Sequence, residues 1–323
     1  IIQEIKKISE ESGFSKIALV GGVVRDMLLV SRNKLIIKDL DIVLEGSAIK
    51  LAKIIENKIE RRRISKITLY DKYDTAEITI DNLVLDITSA RIESYDNPGC
   101  NPKIIFSDID RDLSRRDFTV NSMAIDLKNF NLLDPYNGKK DLESGNLKLM
   151  HTKSISDDPT RIVRAARYSA RLNMNLDGDS RSQVISTISD WPWLSIGNKA
   201  ITNPEKSLAI RLRMELLLLF NENCWENALE IFSSLDGFML LDKQINANKK
   251  NAYRVKIALK LSLDPLTALI LAAKDPSSLG ERIQIKQSEL NYIKEVKEIE
   301  EFINKVLKDN RYINWTPADW SYK

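Results

Sequence analysis

Ala18-Leu-Val-Gly-Gly-Val-Val-Arg-Asp26, taken with Lys38-Asp-Leu-Asp-Ile-Val43, is the stretch on which the fold turns. The first segment runs apolar into Gly21-Gly22 and on through Val23 to Leu29, the pattern of a strand, a tight turn and a helix. Glycine lets backbone amides approach a ligand closely, and a helix N-terminus turns free N–H groups and a positive dipole toward an anion. Arg25, one turn into that helix, adds a cation suited to phosphate. Asp39 and Asp41 stand at i and i+2 among Leu40, Ile42 and Val43, so on a strand both carboxylates share one face. Two adjacent acids with no base between them repel unless a cation holds them. Hard oxygen ligands of this kind suit Mg²⁺ bound together with a nucleoside triphosphate. A phosphate turn followed by a carboxylate pair reads as a site for nucleotidyl transfer.

The flanking sequence supplies a framework for that pair. Residues 1–16 have helical spacing (Ile1, Ile2, Ile5, Ile8), and Ala48 to Glu60 reads as another helix. Beyond Arg61-Arg62-Arg63, alternation predicts strands at Ile67–Tyr70, Thr75–Ile80 and Leu83–Thr88, with Asp81-Asn82 as a hairpin turn. Asp86 is an acid inside the β-forming run Leu83-Val-Leu-Asp-Ile-Thr88. It is either a strand-end residue facing water or a third carboxylate beside Asp39 and Asp41, placed to act as base for an attacking hydroxyl. Asp96 to Pro102 is a loop by composition, and Arg115-Arg-Asp-Phe-Thr-Val-Asn121 is expected to open a helix running through Met123-Ala-Ile125. Asp134-Pro-Tyr-Asn-Gly138 is a turn, and a first domain is expected to close near residue 150.

From Ser156 the pattern is helical. Asp157-Asp-Pro-Thr-Arg161 opens a helix on which Arg161, Arg164, Arg167 and Arg171 fall within about a third of the circumference. Asp158 before Pro159 is also a good cap, and such a stripe is in many proteins a solvated face. Trp191-Pro-Trp193 and Asn203-Pro204 mark breaks, Leu208 to Phe220 reads as core, and amphipathic segments at 227–241, 253–263, 265–274 and 287–307 suggest a small helical domain.

Composition bounds the rest. The chain has 323 residues, enough for two or three domains, with 43% hydrophobic and 29% charged residues, as in ordinary globular proteins. A net charge of +3 permits a nucleic-acid partner without demanding one. Cys100 and Cys224 are far apart and lack His/Cys companions, which excludes a disulfide framework and a zinc cluster and fits a cytoplasmic protein. His151 is the single histidine, which argues against histidine-based triads and histidine metal clusters and for a structural or surface role. No apolar run approaches the roughly 18 residues of a membrane span, and no signal peptide is visible. The chain begins at Ile1, so a trimmed start is expected.

Five segments in order resemble the class II tRNA nucleotidyltransferases, the group of CCA-adding enzymes, their CC- or A-adding specialists and bacterial poly(A) polymerases, within the polymerase-β nucleotidyltransferase superfamily. They are Gly21-Gly22-Val-Val-Arg25-Asp26, Asp39-Leu-Asp41, Arg115-Arg116-Asp117-Phe-Thr-Val-Asn121, Asp157-Asp158-Pro-Thr-Arg161 with Arg164 and Arg167, and Ser207, Arg211 and Glu215. The resemblance covers roughly residues 15–220. It implies an α+β fold: a head with a small mixed sheet and helices on one side (1–150), a helical neck carrying a nucleotide-selecting motif (151–235), and a helical body (236–323). It implies that Gly21, Gly22 and Arg25 hold a triphosphate, that Asp39 and Asp41 bind Mg²⁺, and that Asp86 is the third acid. Arg115, Arg116, Asp117 and Asn121 would contact ribose or phosphate, and Asp158 and Arg161, with Arg164 and Arg167, would read the incoming base. A carboxylate accepting from an exocyclic amine and a guanidinium donating to ring acceptors suit cytosine and adenine.

The implied reaction is two-metal, in-line attack of a tRNA 3′ hydroxyl on CTP or ATP, with release of pyrophosphate. Alternatives are a poly(A) polymerase tailing arbitrary RNA, and an inactive RNA-binding module that keeps the fold. Two features depart from the family pattern: Asp157 stands where relatives usually carry Glu, and the C-terminal half is short, either truncated or compact. Ala90 through Pro102 resembles a flexible loop that CC-adding specialists tend to lack, which favours an A-adding or complete CCA-adding enzyme. Oligomeric state is not legible.

Overall fold

The structure is a computed structural model that describes residues 1–29, 37, 39–97, 99–189, 206–242, 245 and 249–308. The breaks expected at Trp191-Pro-Trp193 and Asn203-Pro204 lie outside the described residues. The chain divides into two compact units, Ile1–Ser189 and Asp190–Lys323.

The first unit runs α1 (Ile2–Glu11), β1 (Ile17–Val20), α2 (Gly22–Leu29), β2 (Asp39–Leu44), α3 (Ala48–Lys58), β3 (Ile64–Tyr70), β4 (Thr75–Ile80), β5 (Leu83–Ser89), β6 (Arg91–Ser94), β7 (Lys103–Phe106), α4 (Ile109–Ser114), β8 (Ala124–Asp126), β9 (Leu132–Leu133), α5 (Gly138–Glu143), α6 (Ser154–Asp157), α7 (Arg161–Leu172) and α8 (Gly178–Ser189). Seven strands form one mixed sheet in the order β3-β4-β5-β2-β1-β8-β9. Within it β2 and β5 are parallel and the other neighbours antiparallel. The β4–β5 hairpin closes through Asp81 and Asn82 at φ +49° and +67°, the left-handed pair of a type I′ turn.

Alternation decides which face of the sheet is buried. Leu40, Ile42, Leu85, Ile87, Ala76, Ile78 and Ile80 are all buried, and the helices α1 and α3 supply Ile5, Ile8, Leu51, Ala52 and Ile55 to the core. Ser47 caps α3, its hydroxyl accepting from the Lys50 amide at 3.2 Å. The sheet is not covered by helices on one side alone. Ile109 and Leu113 of α4 join Ala18, Val20, Val43 and Ala124 in a second buried cluster.

One expected element differs. The helix foreseen from Arg115 through Ile125 is a single 3-10 turn, Thr119–Asn121, followed by strand β8. Ala124, Ile125 and Asp126 pair with Val20, Leu19 and Ala18, so a vacant sheet edge decides the conformation of a short apolar run that is compatible with either state. A short parallel pairing of Asn146-Leu147 with Asn175-Leu176 ties the end of α7 back to the head, and residues 151–189 belong to the first unit.

The second unit contains α9 (Lys206–Phe220), α10 (Trp225–Ser234), α11 (Lys249–Lys260), α12 (Pro265–Ile270), α13 (Pro276–Arg282) and α14 (Gln287–Lys308). The expected core segment is α9, which buries Leu208, Leu212, Leu216, Leu219 and Phe220. Asp264-Pro265 and Asp275-Pro276 start α12 and α13 in the same way. Each carboxylate accepts from the amide three residues on, at 2.6 and 3.0 Å, and proline fills the first helical position.

Gly138, at the start of α5, tests this packing. A Cβ there would lie 2.2 Å from the Thr119 carbonyl oxygen, a backbone atom that cannot swing aside. Gly138→Ala is expected to destabilise the first unit by about 2 kcal/mol. Urea unfolding followed by circular dichroism reads this; an unchanged midpoint would contradict the close approach.

Candidate active site

The sheet register brings the sequence-predicted acids together. Val20 pairs with Asp41, Asp41 with Asp86, and Asp86 with Glu77, across β1, β2, β5 and β4. Asp39 lies two residues from Asp41 on the same face. Because Leu40, Ile42, Leu85 and Ile87 fill the opposite face, all four carboxylates emerge on one side of the sheet. Gly21, at φ +75°, turns the chain from β1 into α2 directly against this row. A Cβ at Gly21 would sit 3.0 Å from Asp41 Oδ2 and 3.3 Å from Arg116 Nη1, so the glycine turn, the acid and the arginine meet at one point.

The acids raise one another's proton affinity. Protein crowded around the Asp41 carboxylate, although the residue still reaches solvent, holds its pKa above the usual carboxylate range; Arg116 opposes this and Asp39 adds to it. Asp86 is pushed up to about 6, chiefly by burial and then by Asp41, Glu77 and Asp39. Such a row, exposed at Asp39 and Asp41 and built of hard oxygens, fits a divalent cation. Among the described residues no group of three or more His, Cys, Asp or Glu side chains is arranged to hold a metal by itself. The Asp39–Asp41 pair offers two carboxylates on one face, and Asp86 stands in register beside it.

Opposite the acids is a set of arginines organised by two buried carboxylates. Asp112, fully buried, accepts from Arg115 Nε at 2.9 Å, from Arg116 Nη2 at 3.2 Å and from the Arg91 amide at 3.3 Å. Arg115 also donates to Glu93 at 2.9 Å. Asp117, 7% exposed, accepts from the Phe118 amide at 2.8 Å, from Asn121 Nδ2 at 3.0 Å, and from Arg164 Nε and Nη2 at 2.7 and 2.6 Å. Burial works to raise the pKa of Asp117, but Arg164, Asn121 and Arg161 bring it down to about 2. Arg25 is 2% exposed and gives its guanidinium to Asn121 Oδ1 at 2.6 Å and to Asp26 Oδ1. Asp26 in turn accepts from Arg171 at 3.3 Å.

The basic stripe on α7 is thus largely internal: Arg161 and Arg167 are buried, and Arg164 is gripped by Asp117. Arg161 donates from Nη2 to the Arg115 carbonyl at 2.8 Å, while its Nη1 is buried without a hydrogen-bond partner. Asp158 accepts from the Thr160 amide and hydroxyl at 3.1 and 2.8 Å. Arg25 and Arg115, expected to face phosphate, are both held by internal acids. Beside Arg161 lies a cleft of about 310 Å³ lined by Glu93, Tyr95, Arg115, His151 and Asp157 among others. Strands β6 and β7 pair in this region, so residues 91–94 of the Ala90–Pro102 segment are one strand of a ribbon, while the described part of Asp96–Pro102 is a loop as expected, tied to α6 by the Gly99 amide donating to the Asp157 carbonyl at 3.2 Å. The sequence reading missed Asp112, Glu93 and Asp26. Asp112 was accessible, since Arg115 and Arg116 follow it at i+3 and i+4.

The raised pKa of Asp86 predicts a pH effect. The fold favours its protonated form, so the stability present below about pH 4 is lost as pH rises through about 6. Without divalent cations, Asp86→Asn is expected to melt at a higher temperature than the parent at pH 8, with the difference closing toward pH 4. Melting curves across that range decide it; equal melting at pH 8 would show that Asp86 is not crowded.

Residues 17–148 match the Poly A polymerase head domain family. The chain is 37% identical over 192 residues to an A-adding tRNA nucleotidyltransferase of Halalkalibacterium halodurans, across 58% of this chain and 43% of the relative. It is 35% identical over 180 residues to a CC-adding tRNA nucleotidyltransferase of Deinococcus radiodurans, across 53% and 44%. It therefore spans less than half the length of these two relatives. The crystal structure of a tRNA nucleotidyltransferase complexed with a primer tRNA and an incoming ATP analog is similar with a TM-score of 0.67 and 26% identity, over 94% of this chain and 80% of that one. The similarity to the Poly A polymerase head domain family is thus carried by residues 17–148, and tRNA nucleotidyltransferases are among the chain's relatives.

Proposed function

We propose that this chain is a tRNA nucleotidyltransferase that adds CCA, or its terminal A, to tRNA 3′ ends from CTP and ATP. The observation that carries the reading is the contact of the Gly21 turn with Asp41, with Asp86 in register on the neighbouring strand. The amides of Gly21 and Gly22, with Arg116, are placed to receive the triphosphate. Asp39 and Asp41 would hold Mg²⁺, which when bound neutralises phosphate charge and orients the reacting oxygens. Asp86, ionised above about pH 6, accepts the proton of the attacking 3′ hydroxyl. Asp117 and Asn121 order the ribose side of the site, with Arg25, Arg115, Arg164 and Arg167 fixing that network. Asp158 and Arg161 select the base, and the partnerless Nη1 of Arg161 is a donor in want of an acceptor.

The division into head (1–150), neck (151–235) and body (236–323), and a cytoplasmic location, are part of the same reading. The ribbon at 91–106 favours A-adding or full CCA addition, whereas the relatives include both A-adding and CC-adding enzymes. The head-domain family also suggests a second reading, a poly(A) polymerase, which would extend arbitrary RNA.

Single-nucleotide incorporation with Mg²⁺ tests this, on tRNA transcripts ending before the first terminal C, after one C and after both. Stepwise C, C and A is the expected full activity, and ATP accepted only after both Cs the A-adding form. Tailing of unrelated RNA would favour the second reading, and no incorporation by folded protein would refute both. Asp41→Ala is expected to lower kcat/KM at least about thousandfold, the several kcal/mol a catalytic metal supplies. Arg161→Ala should narrow the ratio of kcat/KM between correct and incorrect nucleotides by about tenfold or more. An equal loss for all four nucleotides would remove Arg161 from base selection.

A further inference from the structure

Tyr168, a residue of α7 outside the motifs, is surrounded by cations. The guanidinium carbons of Arg25, Arg164 and Arg167 lie 5.2, 5.4 and 5.2 Å from its ring centroid. The ring is 8% exposed and meets Phe118 edge-on at 5.9 Å with an interplanar angle of 87°. Its hydroxyl accepts from Arg164 Nη2 at 3.3 Å. Two of these arginines come from α7 and one from α2, and each of Arg25 and Arg164 has a specific further task. Arg25 fixes Asn121, and Arg164 fixes Asp117. Phe118, between those two residues in sequence, is the ring's aromatic neighbour.

Three positive groups gathered this closely repel one another, most strongly where water is excluded. An aromatic face is negative and attracts each of them, so one ring both separates the guanidiniums and sets their spacing. An aliphatic side chain would lack that attraction, leaving the spacing of Arg25 and Arg164 to partners such as Asp26 and Asp117. We propose that Tyr168 is a positioning residue: its ring fixes Arg25 and Arg164, and through them Asn121 and Asp117, in the geometry that receives the nucleoside triphosphate. This rests on the proposed nucleotidyl-transfer reading of the site, and it assigns to the aromatic ring, rather than to the hydroxyl or to bulk, the job of holding three cations together.

The test uses the full chain with Tyr168→Phe, which keeps the ring, and Tyr168→Leu, which does not. Steady-state incorporation of CTP or ATP on the accepted tRNA transcript is expected to show KM for the nucleotide raised about tenfold in the leucine variant, with kcat changed far less. Phenylalanine should bring KM back to within about twofold of the parent. A leucine variant with the parental KM, or a phenylalanine variant as impaired as the leucine one, would overturn the proposal. If the parent incorporates no nucleotide, the functional reading fails, and thermal melting then judges the ring directly. The phenylalanine variant should melt close to the parent and the leucine variant well below it. A leucine variant that melts with the parent, or a phenylalanine variant as destabilised as the leucine one, would overturn the role of the ring.

Discussion

Mutual repulsion among carboxylates on one face of a sheet is the constraint to which the first unit answers. Asp39, Asp41, Asp86 and Glu77 are brought side by side by strand register, and nothing in their own electrostatics favours that gathering. Hydrophobic burial enforces it. Leu40, Ile42, Leu85, Ile87, Ile78 and Ile80 on the opposite face are each no more than 2% exposed, and full burial of one such side chain contributes about 1.5–3 kcal/mol. A slip of one residue in any of these strands would drive the acids into the core and expose the aliphatics, so the register is fixed from behind. The cost of the acids is local and small beside that gain.

The arginines present the complementary problem. Arg25 pairs with Asp26, Arg115 with Glu93 and Asp112, Arg116 with Asp112, and Arg164 with Asp117, all in a partly buried region. A buried charge is stable only when paired and well hydrogen-bonded, and Asp112 and Asp117 each bind several donors at once. These two acids act as anchors that set where Arg115, Arg116 and Arg164 stand. The acidic row and the basic set meet at Gly21, where an added Cβ would stand 3.0 Å from Asp41 Oδ2 and 3.3 Å from Arg116 Nη1 and press against both. A site with carboxylates on one side and anchored arginines on the other accommodates a polyanion bridged by a cation better than either half alone.

How much of this was legible in the sequence follows from how local each feature is. Asp39 and Asp41 were readable because strand alternation is a two-residue rule, and Asp86 because an acid interrupts an otherwise β-forming run. The 81–82 hairpin was legible from its Asp-Asn pair, which tolerates the left-handed conformation. Strand β8 was not, since Val120 to Ile125 fits either period and only the vacant edge of β1 decides. The pairing of residues 91–94 with 103–106 was hidden for a similar reason: its turn contains the Asn-Pro-Gly composition of a loop, and the strands on either side are only four residues long.

The basic stripe shows where spacing stops being informative. Arg161, Arg164, Arg167 and Arg171 have the periodicity of a solvated helix face, and the sequence cannot distinguish that from an internal one, because the difference lies in partners far along the chain. Arg164 finds Asp117, and Arg171 finds Asp26. Removing one partner of a buried pair costs about 3–5 kcal/mol because the other charge is stranded. Helix α7 and the residues after α4 are therefore energetically linked: a change that moves Arg164 takes two charge-assisted hydrogen bonds from Asp117, and a change at Asp117 takes them from Arg164. Under the proposed nucleotidyl-transfer reading, a base-selecting α7 tied in this way to Asp117 would not shift independently of it, and the Arg164–Asp117 pair would couple base choice to phosphate alignment.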